Sequence, residues 1–116
     1  MDLNLVVLEG KLAAPADLRV FETGSRLVRL LVSVKVSEPR KRLDVIPVMW
    51  WDPPAEVIDH LPDREQRVWV SGSLQRRFWD GPEGRRSRFE VVAEQVTFTR
   101  QTGEDLVMDA LEKISP

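Results

Sequence analysis

Two glycines, Gly10 and Gly72, stand inside long β-type runs, and they constrain the fold more than any other feature of the chain. A glycine in a strand interior weakens it and marks a bulge or a sharp bend. The first run, residues 3–13, is apolar and rich in Leu and Val; Ala14-Pro15-Ala16-Asp17 breaks it, and residues 18–22 are placed as its continuation. Thr23-Gly24-Ser25 reads as a turn. Residues 26–36 read as a second strand, with Val28, Leu30, Val32 and Val34 at period two. After the polar connection of residues 37–41 comes a third strand, residues 43–51. Its faces differ: Asp44, Ile46, Val48 and Trp50 on one, Val45, Pro47, Met49 and Trp51 on the other. Pro47 has no N–H to donate, which predicts an unpaired or irregular position there.

Asp52-Pro53-Pro54-Ala55-Glu56 reads as a helix start, with Asp52 as N-cap, proline at the first position and Glu56 in the first turn. The helix is expected to reach about Leu61, with Val57, Ile58 and Leu61 as its apolar stripe and Pro62-Asp63 as its end. Residues 67–78, containing Gly72, and residues 85–98 form a fourth and a fifth strand joined as a hairpin. The chain is therefore all-β: three strands, a short helix, two strands. That is the order of a five-stranded OB-fold barrel, and glycine bends are what let long strands turn the corners of a small barrel. Five strands are too few for the two sheets of a sandwich. The 116 residues suffice for one domain, and the barrel is assigned residues 1–98. Residues 99–116 form an extension. Leu106, Val107, Ala110, Leu111 and Ile114 recur there at helical spacing, which predicts a short amphipathic helix, marginal by itself at roughly ten residues.

Several function classes are excluded by composition. There is no cysteine, hence no disulfide and no thiolate chemistry. No apolar run approaches the ~20 residues needed to span a bilayer. The first four residues lack a basic n-region, so a cytoplasmic, nucleoid-associated protein is expected rather than a secreted one. The single histidine, His60, is expected on the exposed face of the short helix. No His or acidic spacing suits a metal, and no glycine-rich loop precedes a helix to cradle a nucleotide. Asp44, Asp52 and Asp80 have no spacing that favours a carboxylate cluster. No catalytic site, cofactor or metal is expected.

The formal net charge is only -2, but its distribution is uneven. Residues 26–42 carry Arg26, Arg29, Lys35, Arg40, Lys41 and Arg42 against Glu38 alone, and residues 76–88 carry Arg76, Arg77, Arg85, Arg86 and Arg88 against Asp80 and Glu83. The two windows hold 11 of the 17 Lys and Arg but 3 of the 19 acids, so a basic face can exist on an acidic protein. Aromatic residues interleave with these charges. Trp50 and Trp51 are adjacent on a strand and must face opposite ways; one is expected in the core, the other outward with Val45, Pro47 and Met49. Trp69 points opposite to Val68 and Val70, into the core or an interface. Trp79, near the hairpin tip, is expected to be exposed. Arginines that hold phosphates beside an indole that stacks on a base are what grips single-stranded nucleic acid without reading its sequence.

The ordered motifs resemble the bacterial single-stranded DNA-binding protein family over about residues 4–98. They are Asn4-x-Val6-x-Leu8-x-Gly10-x-Leu12, then Leu18-Arg19, Thr23-Gly24 and Leu27-x-x-Leu30-x-Val32. Asp44-x-Ile46-Pro47-Val48-x-x-Trp51 and Ala55-Glu56 follow. The most specific are Val68-x-Val70-x-Gly72-x-Leu74-Gln75-x-Arg77-x-Trp79-x-x-x-x-Gly84 and Glu90-Val91-Val92-Ala93. The resemblance implies an OB-fold that binds single-stranded DNA in replication, repair or recombination and assembles as a homo-oligomer, with a tetramer favoured and a dimer the alternative. It places the family's stacking aromatics on Trp51 and Trp79. Two further stacking positions lack an aromatic: one falls on Val45, the other in the loop where residues 37–42 offer charge. Trp50 stands where the family often has a small residue. The family's long tail with an acidic tip, which recruits other enzymes, has no counterpart before Ile114-Ser115-Pro116, so recruitment through such a tip is not expected.

Together these readings predict a non-enzymatic, sequence-tolerant binder of single-stranded DNA. Trp51 and Trp79 stack on bases, and Arg29, Arg40, Lys41, Arg42, Arg76, Arg77, Arg85, Arg86 and Arg88 track phosphates. A protein-interaction OB module that has lost DNA binding, and a single-stranded RNA binder, are the alternatives.

Overall fold

A computed structural model describes residues 1–99 and 110–112 of the chain. Its elements are β1 (Val6–Leu12), β2 (Asp17–Val20), β3 (Arg26–Val36), β4 (Arg42–Trp51), α1 (Ala55–Asp59), β5 (Arg67–Gly81) and β6 (Gly84–Thr99). Five strands close a ring in the order β1–β5–β6–β4–β3–β1. All pairings are antiparallel except β4 with β6, which run parallel at Val48↔Val91 and Met49↔Val92. The ring closes where Lys11 and Leu12 of β1 meet Ser33 and Val32 of β3. This is the OB-fold barrel expected from the element order. β2 runs along β3 from Asp17↔Arg29 to Val20↔Arg26, beyond β1 in the same lane, so the predicted continuation of the first strand is a separate four-residue strand after a bend.

The barrel interior is filled by Leu12, Val28, Leu30, Val32, Val48, Trp50, Val68, Val70 and Val91, one alternating face from each long strand. Trp50 is the core member of the adjacent tryptophans, with its ring centroid 6.1 Å from that of Phe98. Val57 and Ile58 of α1 pack against this core; His60 is exposed.

The two strand glycines sit where another backbone crosses at closest range. A Cβ on Gly10 would overlap the Ser33 carbonyl, and one on Gly72 the Val92 carbonyl. The β5–β6 register also slips between Ser71 and Gly72, opposite Gln95 and Ala93, which leaves Glu94 as the extra residue of a bulge. Pro47 is accommodated without a lost ladder bond to β3. Leu31, its partner in register, turns its carbonyl to the Ala13 N–H (2.8 Å), so Leu31 and Pro47 form a non-bonded pair.

The helix departs from expectation. Its N-cap is Pro54, with no side-chain cap, and it ends at Asp59 rather than Leu61. Asp52 has a left-handed backbone (φ 48°). Its Oδ1 accepts the Arg26 N–H at 2.9 Å, while its own N–H donates to the Arg26 carbonyl at 2.7 Å. The Asp52 carboxylate thus closes the open end of the β3–β4 pair instead of capping α1. Of the predicted C-terminal helix, residues 110–112 are helical and the rest lies outside the described residues. Among the described residues no helix is long and apolar enough to cross a membrane, and no cluster of His and acids could hold a metal.

Candidate nucleic-acid interface

β5 and β6 stay paired from Arg67↔Thr99 out to Gly81↔Gly84, far beyond the barrel, and so form a two-stranded arm. Pro82 and Glu83 make its turn, and Gly84 takes a left-handed φ of 119° that a side chain would disfavour. Asn4 pins the root of the arm: its Oδ1 accepts the Leu74 N–H (2.9 Å) and its Nδ2 donates to the Leu74 carbonyl (2.7 Å).

Residues opposite one another on the arm share a face. Trp79 pairs with Arg86, Arg77 with Arg88, and Gln75 with Glu90, so Trp79, Arg77, Arg86 and Arg88 look one way. Asp80 pairs with Arg85, Phe78 with Ser87 and Arg76 with Phe89, and these look the other way. The five arginines of the arm are thereby divided between two faces. The single phosphate track expected from the charge count is thus split, because a count does not register the alternation along each strand.

The face bearing Trp79 runs onto the barrel. Arg77 and Arg88 line a small cavity of about 60 Å³ with Arg19, Leu27, Arg29, Met49 and the single acid Asp17. Met49 and Leu27 are buried beneath the guanidinium groups. Two residues along β4 from Met49, Trp51 leaves the same face with 46% of its surface exposed. Its ring lies 5.4 Å from that of Phe21, tilted by 33°. Trp79 is 39% exposed, with the Arg88 guanidinium 5.7 Å from its ring centroid. One outer surface therefore carries Trp51, the Arg29–Arg77–Arg88 cluster and Trp79 in succession.

The cations differ in how far they are already neutralised. Arg88 Nε lies 3.5 Å from the carboxylate of Glu90, the one buried charged residue among the described residues, which fixes the arginine at the arm's root. Arg86 meets Glu83 at 3.4 Å, and Arg42 meets Asp44 at 2.9 Å. Arg29 and Arg77 form no ion pair among the described residues. Arg40 and Lys41 lie in the turn between β3 and β4, away from the cluster, and Arg42 opens β4. Because β4 and β6 run parallel, this turn and the tip of the arm project from the same end of the barrel. Val45, at a stacking position of the resembled family, is half exposed on the Trp51 face. Arg19, Met49 and Glu90 also belong to this surface: period two puts Met49 on the Trp51 face, whereas Arg19 joins only through the pairing of β2 with β3 and Glu90 through its contact with Arg88.

A family described as the single-strand binding protein family matches residues 3–99. The chain belongs to that family. It is 30% identical over 79 residues to single-stranded DNA-binding protein 1 of Nostoc sp., covering 68% of this chain and 66% of that protein. It is 32% identical over 101 residues to single-stranded DNA-binding protein 3 of Clostridium acetobutylicum, covering 83% and 70%. The chain thus spans about two thirds of the length of these relatives. Its fold matches that of a Plasmodium falciparum SSB complex with ssDNA, with a TM-score of 0.75, 19% identity, and coverage of 85% of this chain and 96% of that one. Membership places the chain among binding proteins rather than enzymes.

Proposed function

We propose that this protein binds single-stranded DNA without reading its sequence, for use in replication, repair or recombination in the cytoplasm. The reading rests on one observation: two exposed indoles, Trp51 and Trp79, stand on one continuous surface with Arg29, Arg77 and Arg88 between them. An indole face accepts any base, and a guanidinium placed between two such platforms meets the phosphates that link the bases. Arg86 extends the phosphate track along the arm, and Arg40, Lys41 and Arg42 meet the strand at the other hairpin of the same end. The barrel, residues 1–98, is the binding domain, and residues 99–116 are an extension of it.

The barrel also has a side suited to self-association. Val7, Trp69 and Thr97 lie on the outer face of β1, β5 and β6, around a cavity of about 630 Å³ that Ser71 and Gln95 also line. β1 is hydrogen-bonded to β5 through Val6–Gly10, and no second strand pairs with it there among the described residues. An apolar floor beside an unused strand edge favours a second copy, and a homo-oligomer, a tetramer in preference to a dimer, is the assembly we assign.

Intrinsic tryptophan fluorescence titrated with oligo-dT tests the binding. Quenching is expected at low salt, and affinity should fall as salt rises, with a logarithmic slope of about -0.7 per phosphate contacted. Absence of quenching at low salt, on protein shown to be folded, would instead favour a protein-interaction role for the barrel.

A further inference from the structure

The second face of the arm is built for contact as well. Phe78 and Phe89 are 47% and 59% exposed, and Leu74 on the same face is also exposed. A solvated strand rarely gathers three large apolar side chains on one side without a partner. Two cations cover them. The Arg76 guanidinium lies 4.9 Å from the Phe78 centroid and 5.5 Å from that of Phe89, and the Arg85 guanidinium lies 4.5 Å from the Phe78 centroid. Arg76 is also tied to Ser87 Oγ, through Nε at 3.3 Å and Nη2 at 3.0 Å. The Arg76 guanidinium is thus held close to both rings, and the three groups together offer a surface on which bases can stack.

We infer that this face takes a second segment of the bound strand, so that single-stranded DNA passing over Trp79 turns round the tip and returns across Arg76, Phe78 and Phe89. The inference rests on the single-stranded DNA-binding reading above. Charge selects the occupant: the face offers Arg76 and Arg85 against Asp80 alone, which suits a polyanion and not a basic or neutral peptide. Continuity supports it too, because this face lies back to back with that of Trp79 on one two-stranded arm. The tip between the faces is Gly81, Pro82, Glu83 and Gly84, so two of its four residues have no side chain to obstruct a turning backbone.

The chain contains four phenylalanines, Phe21, Phe78, Phe89 and Phe98, so uniform 4-fluorophenylalanine gives a fluorine spectrum that single Phe→Leu variants can assign. The labelled protein is titrated with oligo-dT of increasing length while indole quenching is followed in parallel. Short oligomers are expected to quench the indoles and move Phe21, the neighbour of Trp51. Longer ones should also move Phe78 and Phe89. A Phe78→Leu, Phe89→Leu double variant, shown to be folded by its thermal melt, should lose at least about fivefold in the affinity advantage of long over short oligomers. Indole quenching by long oligomers with Phe78 and Phe89 unmoved overturns the second face and leaves DNA binding standing. No quenching and no shift at any length overturns both.

Discussion

Trp50 and Trp51 are neighbours in the chain with opposite fates. One fills the barrel and the other stands on its outer surface, because successive side chains on a strand point to opposite faces. The same alternation gives Trp79 and Phe78 their separate faces. Period two sends one of Trp50 and Trp51 outward, and the hairpin tip marks Trp79 as exposed; the division of the arm's arginines follows from the same alternation but not from their count. At Trp79 the prediction is direct. Stacking contributes roughly 1–3 kcal/mol per base, so Trp79→Ala should weaken oligo-dT binding by about five- to hundred-fold with an unchanged melting temperature. Trp79 lies beyond the barrel and supports no core residue. Val45 offers the converse. It is half exposed on the Trp51 face, so Val45→Trp adds a platform and should tighten binding several-fold. Equal affinities for wild type and both variants, in the same fluorescence titration, would remove base stacking from the mechanism.

At the scale of elements, the glycines organise the fold. Each allows one strand to lie directly against the carbonyl of another, Gly10 against Ser33 and Gly72 against Val92. Those crossings let β1 and β5 serve two neighbours around a small ring. Gly72→Ala should thus cost roughly 1–3 kcal/mol through overpacking and lower the melting temperature by on the order of 10 °C. A thermal melt of Gly72→Ala indistinguishable from wild type would show that the crossing relaxes freely. This much was legible in the sequence, since glycine inside a strand pattern has few other causes. The place of Asp52 was not. Asp before Pro-Pro-Ala-Glu carries every local sign of a helix start, yet Asp52 bonds to Arg26, which is 26 residues away in sequence and adjacent only once β3 and β4 pair. The buried Glu90 beside Arg88 was illegible for the same reason: its burial comes from elements that sequence cannot bring together.

For the whole molecule, the net charge of -2 and the cationic surface are compatible because the charges are sorted in space. Arg19, Arg29, Arg77 and Arg88 converge on one cavity with Asp17 alone against them. One copy nevertheless offers a small site, two indoles where Val45 and the loop of residues 37–42 hold no aromatic. The homo-oligomer proposed above would offset that shortage. Copies that share one strand bind it at a high effective concentration, so affinity rises without any new contact in the single copy. The surface assigned to assembly, around Val7 and Trp69, shares β5 and β6 with the arm but has no lining residue in common with the cavity of Arg29, Arg77 and Arg88. The two functions are therefore separable by substitution. Wild-type protein in light scattering should give a mass several times 13.3 kDa. Val7→Lys places a charge at a position already more than half exposed in the single copy, so the barrel should stay folded while the mass falls. The variant should keep tryptophan quenching by short oligo-dT, which one copy can hold, and lose affinity for long oligo-dT, which needs several. A wild-type mass of 13.3 kDa at micromolar concentration would refute the assembly and leave the whole affinity to a single barrel.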